Sequence, residues 1–210
     1  MAANLTRALI LVDVQNDFCE GGSLAVAGGA EVAQRISAHV LDHGDEYAAI
    51  VATADWHDDP GAHFAEQPDY VDSWPQHCRI GTDGALFHPA AEPAFERVEA
   101  IFRKGQHRAA YSGFEGFTVE GDRRIALADW LRDRAVEQVD VVGIATDHCV
   151  RATALDATDE GFETTVRLDL TAGVARRTTD LALTAMREAQ IQLIGVPIVA
   201  EPMIAQPIVW

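Results

Sequence analysis

The residues able to do covalent chemistry are few. Cys149 lies in Val141-Val-Gly-Ile-Ala-Thr-Asp-His-Cys-Val150, where an apolar run ends and a helical pattern begins. That spacing predicts a cysteine in the first turn of a helix, with Thr146 or Asp147 as N-cap. Free N–H groups and the positive end of the helix dipole favour a thiolate there and can hold an oxyanion. A buried free cysteine is otherwise commonly inert packing. A thiol nucleophile needs a base. His148 is adjacent in sequence, and adjacent helical residues do not face one another. Asp13, at the end of the apolar run Ala8–Val14, is the better candidate. A carboxylate on such a run costs free energy unless it has a partner or a task. Asp17 reads instead as a loop cap. Lys104 is the only lysine beside fifteen arginines, and it too ends an apolar run. Its compact ammonium could neutralise Asp13 and favour a Cys149 thiolate.

A second group suits a metal. Asp55 and His57 are two apart at the end of the run Ala48–Ala54, so both can face one ion. His63 and His77 follow in the same long loop. One carboxylate and three imidazoles fit one divalent ion such as Fe, Mn or Zn. His88 and His107 are weaker substitutes. Phe18, Trp74, Tyr111 and Phe114 could enclose a flat ring.

These residues need a frame to bring them together. Six short runs read as buried strands: Ala8–Val14, Ala48–Ala54, Val98–Phe102, Val139–Ile144, Thr165–Leu170 and Ile191–Ile194. They are continuous in apolar character rather than alternating, as in a parallel sheet covered on both faces. Helical spacing appears over Ala30–Leu41, Arg124–Ala135, Cys149–Thr158 and Thr179–Ala189. The expectation is an α/β, three-layer domain over about residues 1–196 with a mostly parallel, six-stranded sheet. Ligands in such sheets collect beyond the carboxyl ends of the strands, which is where Asp13, Asp55, Lys104 and Cys149 fall. The stretch from 55 to 92 holds four of the eight prolines and reads as a long functional loop. The tail 197–210, with Pro197, Pro202 and Pro207, is expected to be extended.

Composition limits the partners. Sixteen basic residues against 33 acidic ones give a net charge of −17. Such a field opposes nucleic acid and anionic membrane surfaces. No apolar run is long enough to span a bilayer. Three cysteines in 210 residues are no disulfide framework. A cytoplasmic protein with reduced thiols and a small-molecule ligand is expected, as monomer or homodimer.

The blocks VDVQNDFCEGGSLAV (12–26), ATADWHDDPGAHF (52–64), SWPQHC (73–78), FRKG (102–105), AYSGFEG (110–116) and VDVVGIATDHCV (139–150) resemble the bacterial nicotinamidase/pyrazinamidase family, within the isochorismatase-like cysteine hydrolases. The resemblance runs to about Gly195. It implies a triad of Asp13, Lys104 and Cys149, and one metal on Asp55, His57, His63 and His77. It implies an oxyanion hole from the backbone N–H groups of Ala145 and Cys149, with a cis peptide before Ala145. Phe18, Trp74, Tyr111, Ile144 and His148 would line the substrate pocket. The implied activity is hydrolysis of nicotinamide, and of pyrazinamide, through a thioester, in NAD salvage. A related cysteine amidase acting on another carboxamide is the alternative.

Overall fold

The computed structural model describes residues 6–200. Its strands are β1 (Arg7–Val12), β2 (Ala49–Asp55), β3 (Ala100–Lys104), β4 (Phe117–Glu120), β5 (Arg123–Ala126), β6 (Gln138–Ile144), β7 (Glu163–Gly173), β8 (Gln192–Ile194) and β9 (Ile198–Val199). Its α-helices are α1 (Gly29–His43), α2 (Glu92–Phe95), α3 (Leu127–Arg132), α4 (Arg151–Asp159) and α5 (Arg176–Glu188). The strands form one sheet in the order β5-β4-β3-β2-β1-β6-β7-β8, with β9 also paired to β7. The pairings among β1, β2, β3, β6, β7, β8 and β9 are parallel, and only β3–β4 and β4–β5 are antiparallel.

The three-layer α/β reading holds, and all six expected strands are present. The sheet has nine strands in the described residues rather than six. The additions have physical reasons. β4 and β5 form an antiparallel hairpin at the sheet edge, with Val119, Glu120, Arg123 and Arg124 exposed. Such an edge needs no continuous apolar run. The helix expected over Arg124–Ala135 gives up its first residues to β5, because Ile125 pairs with Thr118 and packs into the core. In the tail, Ile198–Val199 pairs with Ala172–Gly173 of β7; the tail expected to be extended otherwise lies outside the described residues from 201 onward.

Alternation along the central strands builds the two faces. Ala8, Ile10 and Val12 of β1 meet Val150, Ala154 and Ala157 around α4, with Ala182 and Met186 of α5. Leu9 and Leu11 face the other way, onto Val32, Ile36 and Val40 of α1. Each such aliphatic side chain stabilises the fold by about 1.5–3 kcal/mol on full burial. The packing of β1 on β6 depends on Gly143. Its φ is +120°, and a Cβ there would lie 2.1 Å from the Val12 carbonyl oxygen. The glycine therefore lets the two strands close up directly beneath the site.

Candidate active site

Register brings the chemistry together. Asp55 and Lys104 are paired neighbours at the ends of β2 and β3. Asp13 follows β1, and Ala145 follows β6. Asp13 adopts φ +48°, in the left-handed region that Asp tolerates better than most residues. Its N–H donates to Thr53 Oγ1 at 3.3 Å, and the Thr53 hydroxyl donates back to Asp13 Oδ1 at 2.6 Å. Asp13 Oδ2 lies 2.9 Å from Lys104 Nζ, yet it accepts no aligned hydrogen bond. Lys104 is fully buried, donates also to Asp55 Oδ1, and lies 3.7 Å from Cys149 Sγ. Ligand atoms of Asp13, Asp55 and Cys149 lie within 4.8 Å of one another.

The electrostatics follow from burial and one cation. Burial opposes the Lys104 charge, but Asp13 and Asp55 outweigh it and hold the ammonium well above its ordinary pKa. Burial pushes the Asp13 carboxyl up, and Lys104 offsets only part of that. Burial likewise pushes the Cys149 thiol well above its ordinary value, against the pull of Lys104. The thiolate expected from a helix terminus and a nearby lysine is therefore not the favoured resting form. Two carboxylates share the single lysine, and the thiol is buried.

The turn carrying the thiol also departs from expectation. Thr146–Val150 forms one π-turn, and α4 begins only at Arg151. His148 N–H and Val150 N–H both donate to Ala145 O. The Ile144–Ala145 peptide is cis. Neither Thr146 nor Asp147 caps this helix. The Thr146 hydroxyl donates to Thr171, and Asp147 accepts hydrogen bonds from the next βα connection.

The histidines converge beside Asp55. His57 Nε2 and His77 Nε2 lie 3.5 and 3.6 Å from Asp55 Oδ2. Ring nitrogens of His57, His63 and His77 fall within 4.8 Å of one another, all buried. Carbonyl acceptors fix two tautomers: His57 Nδ1 donates to Gly105 O at 2.5 Å, and His77 Nδ1 donates to Pro75 O at 2.8 Å. Each leaves Nε2 as a lone-pair donor. His57 Nε2 and His63 Nδ1 are buried without a hydrogen-bond partner, as befits atoms meant for an ion. Burial, with His77 and His57 beside it, holds His63 down to about 4, so it is neutral and able to ligate near pH 7. The set fits a divalent metal. His107 is exposed and outside the cluster, and His88 Nδ1 instead accepts from Ala90 N–H.

Gly105 makes the His57 geometry possible. Its φ is +78°, and a Cβ there would lie 2.5 Å from His57 Cε1. Gly105→Ala is expected to weaken metal binding by about 10- to 100-fold, as loss of an orienting neighbour does. Metal content of the purified variant, measured beside its circular dichroism, checks this. Full metal content would show that the Gly105 contact does not orient His57.

Beside Cys149 and the histidines lies a cavity. Phe18, Trp74, Tyr111, Ile144, Ala145, His148 and Cys149 line it. Trp74 Nε1 donates to the Tyr111 hydroxyl at 3.0 Å, and His148 stands edge-on to Trp74 and stacked on Tyr111. Phe114 is not in the wall; it packs against Phe162 in the core. Sequence reasoning missed Leu24, Ala25, Val26 and Val174, which complete the apolar wall. Val26 offered no chemical signal, but its loop is held by Asp17, whose carboxylate accepts from Ser23 N–H and Cys78 N–H. Gln15 was also missed. It exchanges hydrogen bonds with the Asp55 backbone, both at 2.9 Å.

Fold and site together define a three-layer α/β domain with a cysteine, an acid and a lysine at the strand ends and a metal-competent histidine cluster alongside. Comparison with known proteins agrees. The family model described as "Isochorismatase domain" matches residues 7–198. The nicotinamidase/pyrazinamidase of Mycobacterium tuberculosis is 56% identical over 90% of this chain and 98% of its own. The pyrazinamidase of Pyrococcus horikoshii, solved in complex with zinc, superposes with a TM-score of 0.74 at 36% identity, covering 90% of this chain and 98% of that one. PnC1 from L. infantum, solved with nicotinate, gives 0.77 at 31% identity, covering 91% and 93%. The chain belongs to the isochorismatase-domain family, in its nicotinamidase/pyrazinamidase branch.

Proposed function

We infer that the protein hydrolyses nicotinamide to nicotinate and ammonia, and pyrazinamide likewise, in NAD salvage. The observation that carries this is the buried Asp13–Lys104–Cys149 group opening onto an aromatic-walled cavity flanked by three converging histidines. The identity to curated nicotinamidases supports the same substrate.

In the proposed mechanism the ring lies among Phe18, Trp74 and Tyr111, with Ile144 and His148 completing the wall. Asp13 accepts the thiol proton of Cys149 as sulfur attacks the carboxamide carbon. Oδ2, the oxygen without a hydrogen bond, is free for that proton. The oxyanion is held by the backbone N–H groups of Ala145 and Cys149. Asp13 returns the proton to the amide nitrogen, the C–N bond breaks, and ammonia leaves a thioester. Water then attacks the thioester, giving its proton to Asp13; nicotinate departs, and the proton returns to sulfur. Lys104 opposes the effect of burial on Asp13 and so favours its ionised form. Asp55, His57, His63 and His77 would hold one divalent ion, Fe, Mn or Zn. When bound, that ion supplies a Lewis-acid contact for the ring nitrogen, which helps position the ring.

The reading includes a cytoplasmic setting, in keeping with three free cysteines. No helix among the described residues is long and apolar enough to cross a membrane. The test is ammonia release from nicotinamide by the purified, metal-supplemented protein, with aliphatic amides in parallel. Release from nicotinamide supports the reading. Release from aliphatic amides alone would transfer the chain to the alternative, a cysteine amidase with another carboxamide substrate.

A further inference from the structure

Asp147 is a buried carboxylate that the mechanism above does not use. It is only 1% exposed and stands two residues before the nucleophile, on the turn Thr146–Val150. Its carboxylate reaches out of its own turn. Oδ1 accepts from Val174 N–H at 2.9 Å. Oδ2 accepts from Ala175 N–H at 3.4 Å and from the Thr178 hydroxyl. Val174 and Ala175 form the connection from β7 into α5, and Thr178 stands in the first turn of α5. Ala175 is the N-cap residue of α5 and makes no side-chain cap of its own. A carboxylate from the nucleophile turn thus sits at the N-terminal end of α5, where negative charge is favoured, and ties down the residues that lead into it. The neighbouring Thr146 hydroxyl adds a second tie, to Thr171 of β7 at 2.8 Å.

These ties meet at the reaction centre. The turn they hold presents Ala145 and Cys149, and the residue whose N–H Asp147 grips, Val174, lines the same cavity. Within the turn, His148 N–H and Val150 N–H both close on Ala145 O, and the ties to β7 and α5 hold it from outside. We propose that Asp147 is a positioning residue: by tying the nucleophile turn to Val174, Ala175 and Thr178, it fixes the oxyanion-binding N–H groups of Ala145 and Cys149 against the entry into α5. The inference rests on the amidase reading for its kinetic readout.

The experiment compares wild type, Asp147→Ala, Asp147→Asn and Thr178→Val, all loaded with metal. Asp147→Ala is expected to lower kcat for nicotinamide at least about 10-fold, with KM within about threefold, because donors to the oxyanion act on the transition state more than on the bound amide. Asp147→Asn keeps an acceptor for Val174 N–H and should lose less. Thr178→Val removes one donor and should lose least, and it serves if Asp147→Ala does not fold. Pyridine-3-carbaldehyde, which adds to the thiol to give a tetrahedral oxyanion, should lose affinity in step with kcat, while nicotinate should not. A merely stabilising role would lower the melting temperature and leave that ratio unmoved. Hydrogen exchange needs no substrate: the backbone N–H groups of Val174, Ala175 and the 145–150 turn should exchange about 10-fold faster in the variants. Unchanged kcat and an unchanged aldehyde-to-nicotinate ratio in folded Asp147→Ala or Asp147→Asn would overturn the proposal. A wild type that releases no ammonia would sink the amidase reading instead; the exchange measurement would then decide the tie by itself, with unaltered exchange in the turn counting against it.

Discussion

Cys149→Ala is expected to abolish nicotinamide hydrolysis, by at least about 10³-fold, while metal content stays at the wild-type level. The two halves of this expectation come from different parts of the site. Sγ is the nucleophile in the proposed mechanism, and no other thiol can replace it: Cys19 and Cys78 are fully buried and line no part of the cavity. Burial pushes the Cys19 thiol up to about 12, so it has no thiolate to offer near neutral pH. The histidines, by contrast, are organised by carbonyls of Gly105 and Pro75 and by Asp55, none of which depends on Cys149. Removing one buried sulfur costs on the order of 1 kcal/mol, too little to unfold a domain. Cys149→Ser is the sharper companion. It nearly preserves volume, yet an alcohol is far harder to deprotonate than a thiol, and Asp13 is a weak base even when raised. It too should be inactive. Hydroxylamine added to the wild type should divert the thioester to the hydroxamate. Ammonia release by Cys149→Ala at the wild-type rate would remove the thiol from the chemistry, and parallel loss of metal would point to a disordered site.

What the sequence made legible has a physical pattern. The six central strands could be read because strands buried on both faces are continuous apolar runs, and their ends placed Asp13, Asp55 and Lys104 at one edge of the sheet. The hairpin β4–β5 could not, because an exposed edge with Arg123 and Arg124 lacks that signature. The metal-competent set was visible through spacing in one loop, but its tautomers depend on Gly105 O, about fifty residues away from His57, and on the left-handed φ of that glycine. Thr53 and Gln15 escaped notice for the same reason, and Asp147 was read only as a cap of its own turn. Each acts through partners distant in sequence, and each residue type is an ordinary cap or strand residue when read locally. The resting state of the thiol was misread for a different cause. Spacing showed a helix terminus and a lysine, both favouring thiolate, but not the complete burial and the two carboxylates that compete for that lysine.

That competition gives the second large effect. Asp13→Asn keeps the shape and the acceptor for the Thr53 hydroxyl but removes the base, and should lower kcat by about 10²- to 10⁴-fold. In the wild type, Asp13 works only when ionised, and burial raises its pKa above the ordinary aspartate value of 3.8, with Lys104 opposing. The acid limb of kcat/KM should therefore lie above the ordinary carboxylate range, and activity should fall as pH drops through it. Stability runs the other way for this group. A folded-state pKa above the unfolded one contributes stability that is full below 3.8 and is lost as pH rises through the folded value. Asp55 has the opposite sign: burial opposes its charge, but Lys104 and the His57 and His77 rings beside it hold its pKa well below 3.8, so its stabilisation is lost only at still lower pH. Activity should thus decline reversibly on mild acidification, in a range where circular dichroism still reports a folded protein. The rival for this limb is His148, which burial holds below the ordinary imidazole value of 6.5. A limb that survives in Asp13→Asn and disappears in His148→Ala would give the base to His148. A limb that persists in His148→Ala, with Asp13→Asn nearly inactive at every pH, keeps it on Asp13, the only one of the two held against both the lysine and the thiol.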